Sequence, residues 1–153
     1  MTKMSPFGKK SDDADAAFET TKRELVAEIE RLEGLSLQQL ANEVMTRAFI
    51  SGYDPRADTT SLMQIAHEFG PEWDTSTYSA RLRVLNERER SADWRHLVDL
   101  LGEGVQVLQN AGLVWMKRQS GPSGFEAGYA TTRLGRAALE RNAVGRILGG
   151  GTL

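Results

Sequence analysis

A mainly α chain with one small antiparallel β-hairpin near its C-terminal end is the fold class predicted by three observations. Apolar residues recur at helical spacing through most of the 153 residues. One Gly- and Pro-rich break, Gly121-Pro122-Ser123-Gly124, lies between two short runs suited to strands. The chain has no cysteine, so disulfides, thiolate metal sites and cysteine nucleophiles are excluded and the core must hold without staples, which this length allows.

Residues 1–13 mix Ser, Pro, Gly, Lys and Asp without periodicity and read as a disordered tail, followed by a single domain over 14–148 and a flexible C-terminus at 149–153. A first helix is expected from about Asp13 to Asp15, with Phe18, Leu25, Ile29 and Leu32 as a narrow apolar stripe. Lys22, Arg23, Glu28, Glu30 and Arg31 lie opposite it, which suits either a dimer element or a helix docked on its own domain. Gly34 ends that helix. Ser36 and Gln39 have the spacing of a capping box, and Leu37, Leu40, Ala41, Val44 and Ala48 follow, with Met45, Phe49 and Ile50 widening the face into a core helix. Ser51 to Pro55 stops it, and Tyr53 is expected to cover the core edge.

From Thr60 two helices joined by a turn are expected. Leu62, Ile65, Ala66 and Phe69 face inward from the first, and the Ala66 to Gly70 spacing suits close helix approach. Asp74 or Thr75 can cap the second, with Tyr78, Leu82 and Leu85 turned inward and Thr77, Ser79, Arg81, Arg83, Arg88 and Arg90 outward. Residues 92–111 carry the strongest helical pattern: Trp94, Leu97, Val98, Leu101, Val105 and Leu108 share a face. Gly102 and Gly104 each cost such a helix roughly 1 kcal/mol relative to Ala, and their presence points to close packing. Ala111-Gly112 closes this helix, residues 113–116 form a strand, residues 117–128 turn, and residues 129–132 return beside it. Thr132 can cap a last helix from Arg133 to about Leu148, whose apolar end, Val144, Ile147 and Leu148, can meet the first helix of a partner chain.

The joints of the C-terminal stretch carry a resemblance. Leu108-Gln109-Asn110-Ala111-Gly112-Leu113-Val114, followed by Tyr129, Thr132, Gly135, Arg136 and Leu139, resembles the helix–wing–helix end of winged helix-turn-helix domains of MarR-like and PadR-like transcriptional regulators, with Thr131 in place of the usual Leu. The likeness covers about a fifth of the chain. It implies a winged helix-turn-helix fold with additional N-terminal helices and a DNA-binding regulator; winged helices also serve as protein–protein modules.

Net charge is −2, so any argument for nucleic acid rests on distribution. From Gly112 onward six Lys or Arg face two acids, and five Arg fall between Arg81 and Arg95. Hydroxyls near a helix start position on phosphate and Arg can read guanine edges, so Thr77, Ser79, Arg81 and Arg83 form one candidate DNA-contacting set, and Lys117, Arg118 and Gln119 of the wing the other. In the family layout the helix entering the wing is the reader. Here its outward positions include Asp99 and Glu103, which oppose phosphate, although Gln106 and Asn110 can bond bases. Those acids favour the alternative, a winged-helix protein–protein interaction module without DNA binding.

Catalytic and metal constellations are not expected. His67-Glu68 lacks the second histidine of a zinc helix, Gly102-x-Gly104 does not follow a strand, and no nucleophile is paired with a base. Trp73, Trp94 and Trp115 read as core or interface anchors, with Trp115 beside Lys117 and Arg118 also suited to stacking. The expectations are therefore a cytoplasmic, non-enzymatic chain with no cofactor and no membrane segment, with double-stranded DNA and a second copy of itself as partners and a protein partner as the alternative.

Overall fold

Helix α5 (Ala92–Asn110) is the axis of the computed structural model, which describes residues 6–49, 59–121 and 124–153, and the side chains of these apart from 6–11 and 119–127. Its apolar stripe explains that position: Trp94, Leu97, Leu101, Val105 and Leu108 are all buried. Around it pack α1 (Pro6–Glu33), α2 (Leu37–Ala48), α3 (Leu62–Phe69), α4 (Tyr78–Arg90) and the first strand of the hairpin, β1 (Val114–Gly121). Strand β2 (Gly124–Thr131) pairs with β1, and two short helices follow, α6 (Arg133–Glu140) and α7 (Val144–Leu148).

The helix starts follow the side-chain chemistry of their caps. Ser36 accepts from the Gln39 amide while Gln39 reaches back to the Ser36 amide, the expected capping box. Ser61 and Gln64 repeat the same box at α3, in a Ser-x-x-Gln spacing equally visible in the sequence. Ser91 ends α4 and caps α5 by accepting from the Trp94 amide. Helix α5 runs unbroken through its glycines, and Gly104 shows why: a Cβ there would lie 3.0 Å from Val44 Cγ2 and 3.3 Å from Leu40 Cγ of α2.

Helix α1 starts at Pro6, within the stretch read as a tail; residues 1–5 lie outside the described residues, as do Ile50 and Tyr53. Its stripe is spent inside the domain, with Leu25, Ile29 and Leu32 buried in the common core. Docking on its own chain is therefore the outcome for this face. Arg31 fastens α1 to α2, bonding Glu28 of its own helix and Glu43 of α2 at 2.7–3.0 Å. Those bonds hold both carboxyls below their ordinary range and raise the Arg31 guanidinium.

Three expectations about the other elements are corrected. Helix α3 packs on α5, and Gly70 sits so close to the Trp94 ring that a Cβ would come within 2.9 Å of it, so the small-residue spacing serves α5 and not the Arg-rich helix. Helix α4 is capped by Thr77 and turns its other side inward: only Val84 is buried, while Tyr78, Leu82 and Leu85 are 69, 48 and 52 % exposed. The last helix breaks at Asn142, whose φ of 50° is the left-handed conformation Asn tolerates. Val144 is then buried and Ile147 and Leu148 pack on the core of this chain, with α7 against α2, so that end is not left for a partner.

Candidate nucleic-acid interface

The hairpin is longer and better anchored than its sequence suggests. Strands β1 and β2 pair from Val114–Thr131 out to Gly121–Gly124, so residues 117–121 and 124–128, expected as turn, belong to the ladder. Pro122 and Ser123 lie outside the described residues. At its base Gly112 adopts φ +74°, which lets the Leu113 amide reach the Leu108 carbonyl at 2.9 Å. Thr132 does three things at once. Its amide donates to the Leu113 carbonyl, its hydroxyl donates to the Gly112 carbonyl at 2.6 Å, and the same oxygen accepts from the Gly135 amide to cap α6. On the outer edge Thr60 and Tyr129 exchange two backbone bonds of 2.8 Å, tying the segment before α3 to β2.

This base aims the basic residues. Lys117 lies on the face of Trp115, its ammonium 4.9 Å from the ring centroid, and is half-buried. Arg118 points to the opposite face, beside Met116, and is exposed. Gln119 is a β1 residue paired with Glu126, and its side chain lies outside the described residues.

Helix α4 divides its expected set. The Thr77 hydroxyl is used as the cap, accepting from the Ala80 amide at 3.1 Å. Ser79 and Arg81 are exposed. Arg83 turns toward α1, pairs with Asp15 and lies 5.1 Å from the Phe18 ring centroid. Arg88 also turns inward over Trp94, where burial lowers its guanidinium from the ordinary value. A cavity of about 580 Å³ lies between α1 and the start of α4, with the Phe18–Trp73 pair, Asp15, Asp74 and Arg83 in its walls. The Asp15–Arg83 link was not legible because it joins the expected start of the first helix to a helix 68 residues later, with no local signal to pair them.

On α5, Asp99 and Glu103 are exposed, and the Gln106 amide donates to Asn110 at 3.0 Å, so the two amides suited to base contact bond each other. The two basic regions hang from opposite ends of α5: Arg88 of α4 covers Trp94 near its start, and the hairpin leaves from Leu108 and Gly112 at its end. Among the described residues no group of three His, Asp or Glu side chains comes together to hold a metal, and no helix is long and apolar enough to cross a membrane. Comparison with protein families, curated proteins and solved structures finds no match for this chain.

Proposed function

We propose that this chain is a DNA-binding transcriptional regulator of winged helix-turn-helix type, gripping the duplex backbone with its wing. The observation that carries the reading is the anchored hairpin, which offers Lys117 and Arg118 on adjacent exposed or half-exposed positions of a ladder fixed at its base by Thr132 and Thr60. Cations held on a rigid element lose little conformational entropy on meeting phosphate. The packing of α2, α3 and α5 around one core ahead of the hairpin supports the same class.

Within the Arg-rich helix Arg81 and Arg90 are the exposed cations left uncommitted inside the chain, because Arg83 and Arg88 are held by its other side chains. Arg90 is the one that also stays clear of the apolar α4 face. Helix α5 stays out of contact with phosphate on account of Asp99 and Glu103. Fluorescence anisotropy with a mixed-sequence duplex at low salt tests the proposal. Salt-dependent binding is expected, weakened when Arg118 is replaced by Glu; equal binding by the two proteins would remove the wing from the interface. The second reading, a protein-interaction module, draws on the exposed Tyr78, Leu82 and Leu85 of α4. Absence of any duplex binding at low salt would leave that reading standing.

A further inference from the structure

The apolar face left open on α4 has a pattern that fits itself. At 3.6 residues per turn, Tyr78, Leu82, Leu85 and Glu89 fall within about 60° of arc along about 16 Å of helix, with Arg81 beside them. All five are exposed. The opposite side of α4 is already occupied, through Val84 in the core, Arg83 on Asp15 and Glu87 near Lys22. None of the ion pairs among the described residues uses Arg81 or Glu89. The other two apolar surfaces that sequence reasoning offers for dimerisation, the α1 stripe and the end of α7, are spent within the chain.

We propose that this face pairs with the same face of a second copy, antiparallel about a two-fold axis between Leu82 and Leu85. In that arrangement each Leu82 meets the partner's Leu85, and the contact occurs twice. The Tyr78 phenol at one end lies opposite the partner's Glu89 carboxylate, an O–H donor facing an acceptor. Arg81 lies one turn from that same carboxylate. Parallel pairing would instead set Arg81 against Arg81 and Glu89 against Glu89, which is repulsive. An antiparallel match of donors to acceptors at both ends, around an apolar centre, is a property a self-pairing surface requires and a surface for an unrelated protein does not. Three partly exposed side chains fall well short of the roughly 800 Å² per partner of a standard stable interface. The association is therefore concentration-dependent, with a dissociation constant on the order of 10 µM or weaker.

Sedimentation velocity on the full chain, from micromolar to several hundred micromolar, tests this without reference to DNA. Wild type is expected to shift from monomer to dimer across that range, and Leu82→Glu to remain monomeric with unchanged helical circular dichroism, because residue 82 is outside the core. Charge reversal identifies the partner. Arg81→Glu alone places acid against acid, and Glu89→Arg alone places cation against cation, so each is expected to weaken self-association by at least 5-fold. An equimolar mixture of these two variants restores opposite charges at both ends and is expected to dimerise again. A wild-type chain that stays monomeric throughout would overturn the proposal. So would self-association that Leu82→Glu leaves intact, or a mixture no more associated than its two components.

Discussion

Gly135 is the residue whose replacement by Ala should most disturb the joint between hairpin and core, although it lies in a helix where Ala is intrinsically better. In α6 a Cβ at this position would overlap the Leu113 carbonyl oxygen and come within 3.0 Å of its carbon and 3.1 Å of Met45 Cε. The first two are backbone atoms of the hairpin base, and that carbonyl also accepts from the Thr132 amide, so it cannot simply rotate away. Forced overpacking costs about 1–3 kcal/mol and more where backbone must shift; the helix preference of Ala returns about 1 kcal/mol. With two backbone atoms in the way the cost lies at or above the top of that range, about 3–4 kcal/mol, which leaves a net loss of about 2–3 kcal/mol, or roughly 4–12 °C in Tm for a chain of this size. Gly102→Ala is the control. Its Cβ would meet only Leu62 Cδ2, at an ordinary 3.6 Å, so the helix term is unopposed and Tm should rise by a few degrees. Thermal and urea unfolding of both variants measure the contrast. If Gly135→Ala is as stable as wild type, the hairpin base is not packed on α6 as described.

Two further outcomes concern stability. Thr131, where Leu is usual in the winged-helix pattern, is buried, and its hydroxyl has no hydrogen-bond partner among the described residues, so the near-isosteric Thr131→Val should stabilise by about 1 kcal/mol in urea unfolding. Acidification should destabilise in two windows. His67 is held below its ordinary 6.5 by burial and then by the charge of Arg88, so the unfolded chain binds its proton first and stability falls as pH drops from neutrality through 6.5. His67→Gln should flatten that part of a pH–stability curve. Glu28 and Glu43, held low chiefly by Arg31, contribute stability present above 4.5 that is lost as pH falls through their depressed values; Arg31→Gln should shrink the loss in that lower window.

Local chemistry was legible where one side chain settles it. The Ser36 box, the Gly112 conformation, the Thr132 cap and the α5 stripe can all be read from residue type and spacing. Helix α4 was not, because Arg at 81, 83, 88 and 90 leaves no plain polar face. Leu82 and Leu85 then look like the inner residues when Val84 is the one that packs. Which side faces the core follows from tertiary contacts with no local signature, the packing of α4 on α5 and the Arg83 contacts to Asp15 and Phe18 of α1. Residues 117–121 carry little strand propensity and are ordered as β1 by cross-strand pairing. Of the candidate site, the nearness of Lys117 and Arg118 to the hairpin was legible, while their place in the β1 ladder and the loss of Arg83 to an ion pair were not.

Salt dependence of duplex binding by wild type, by Lys117→Glu/Arg118→Glu and by Arg83→Gln tests the wing reading most directly. Each phosphate contact contributes a slope of about −0.9 in log K against log salt concentration. The wing double variant should lose affinity and flatten the slope by about 1.8. Arg83→Gln should leave the slope at its wild-type value, since that guanidinium is engaged by Asp15 and Phe18. Binding that survives reversal of both wing charges, or that falls with Arg83 instead, would contradict the assignment of the duplex contact to the wing.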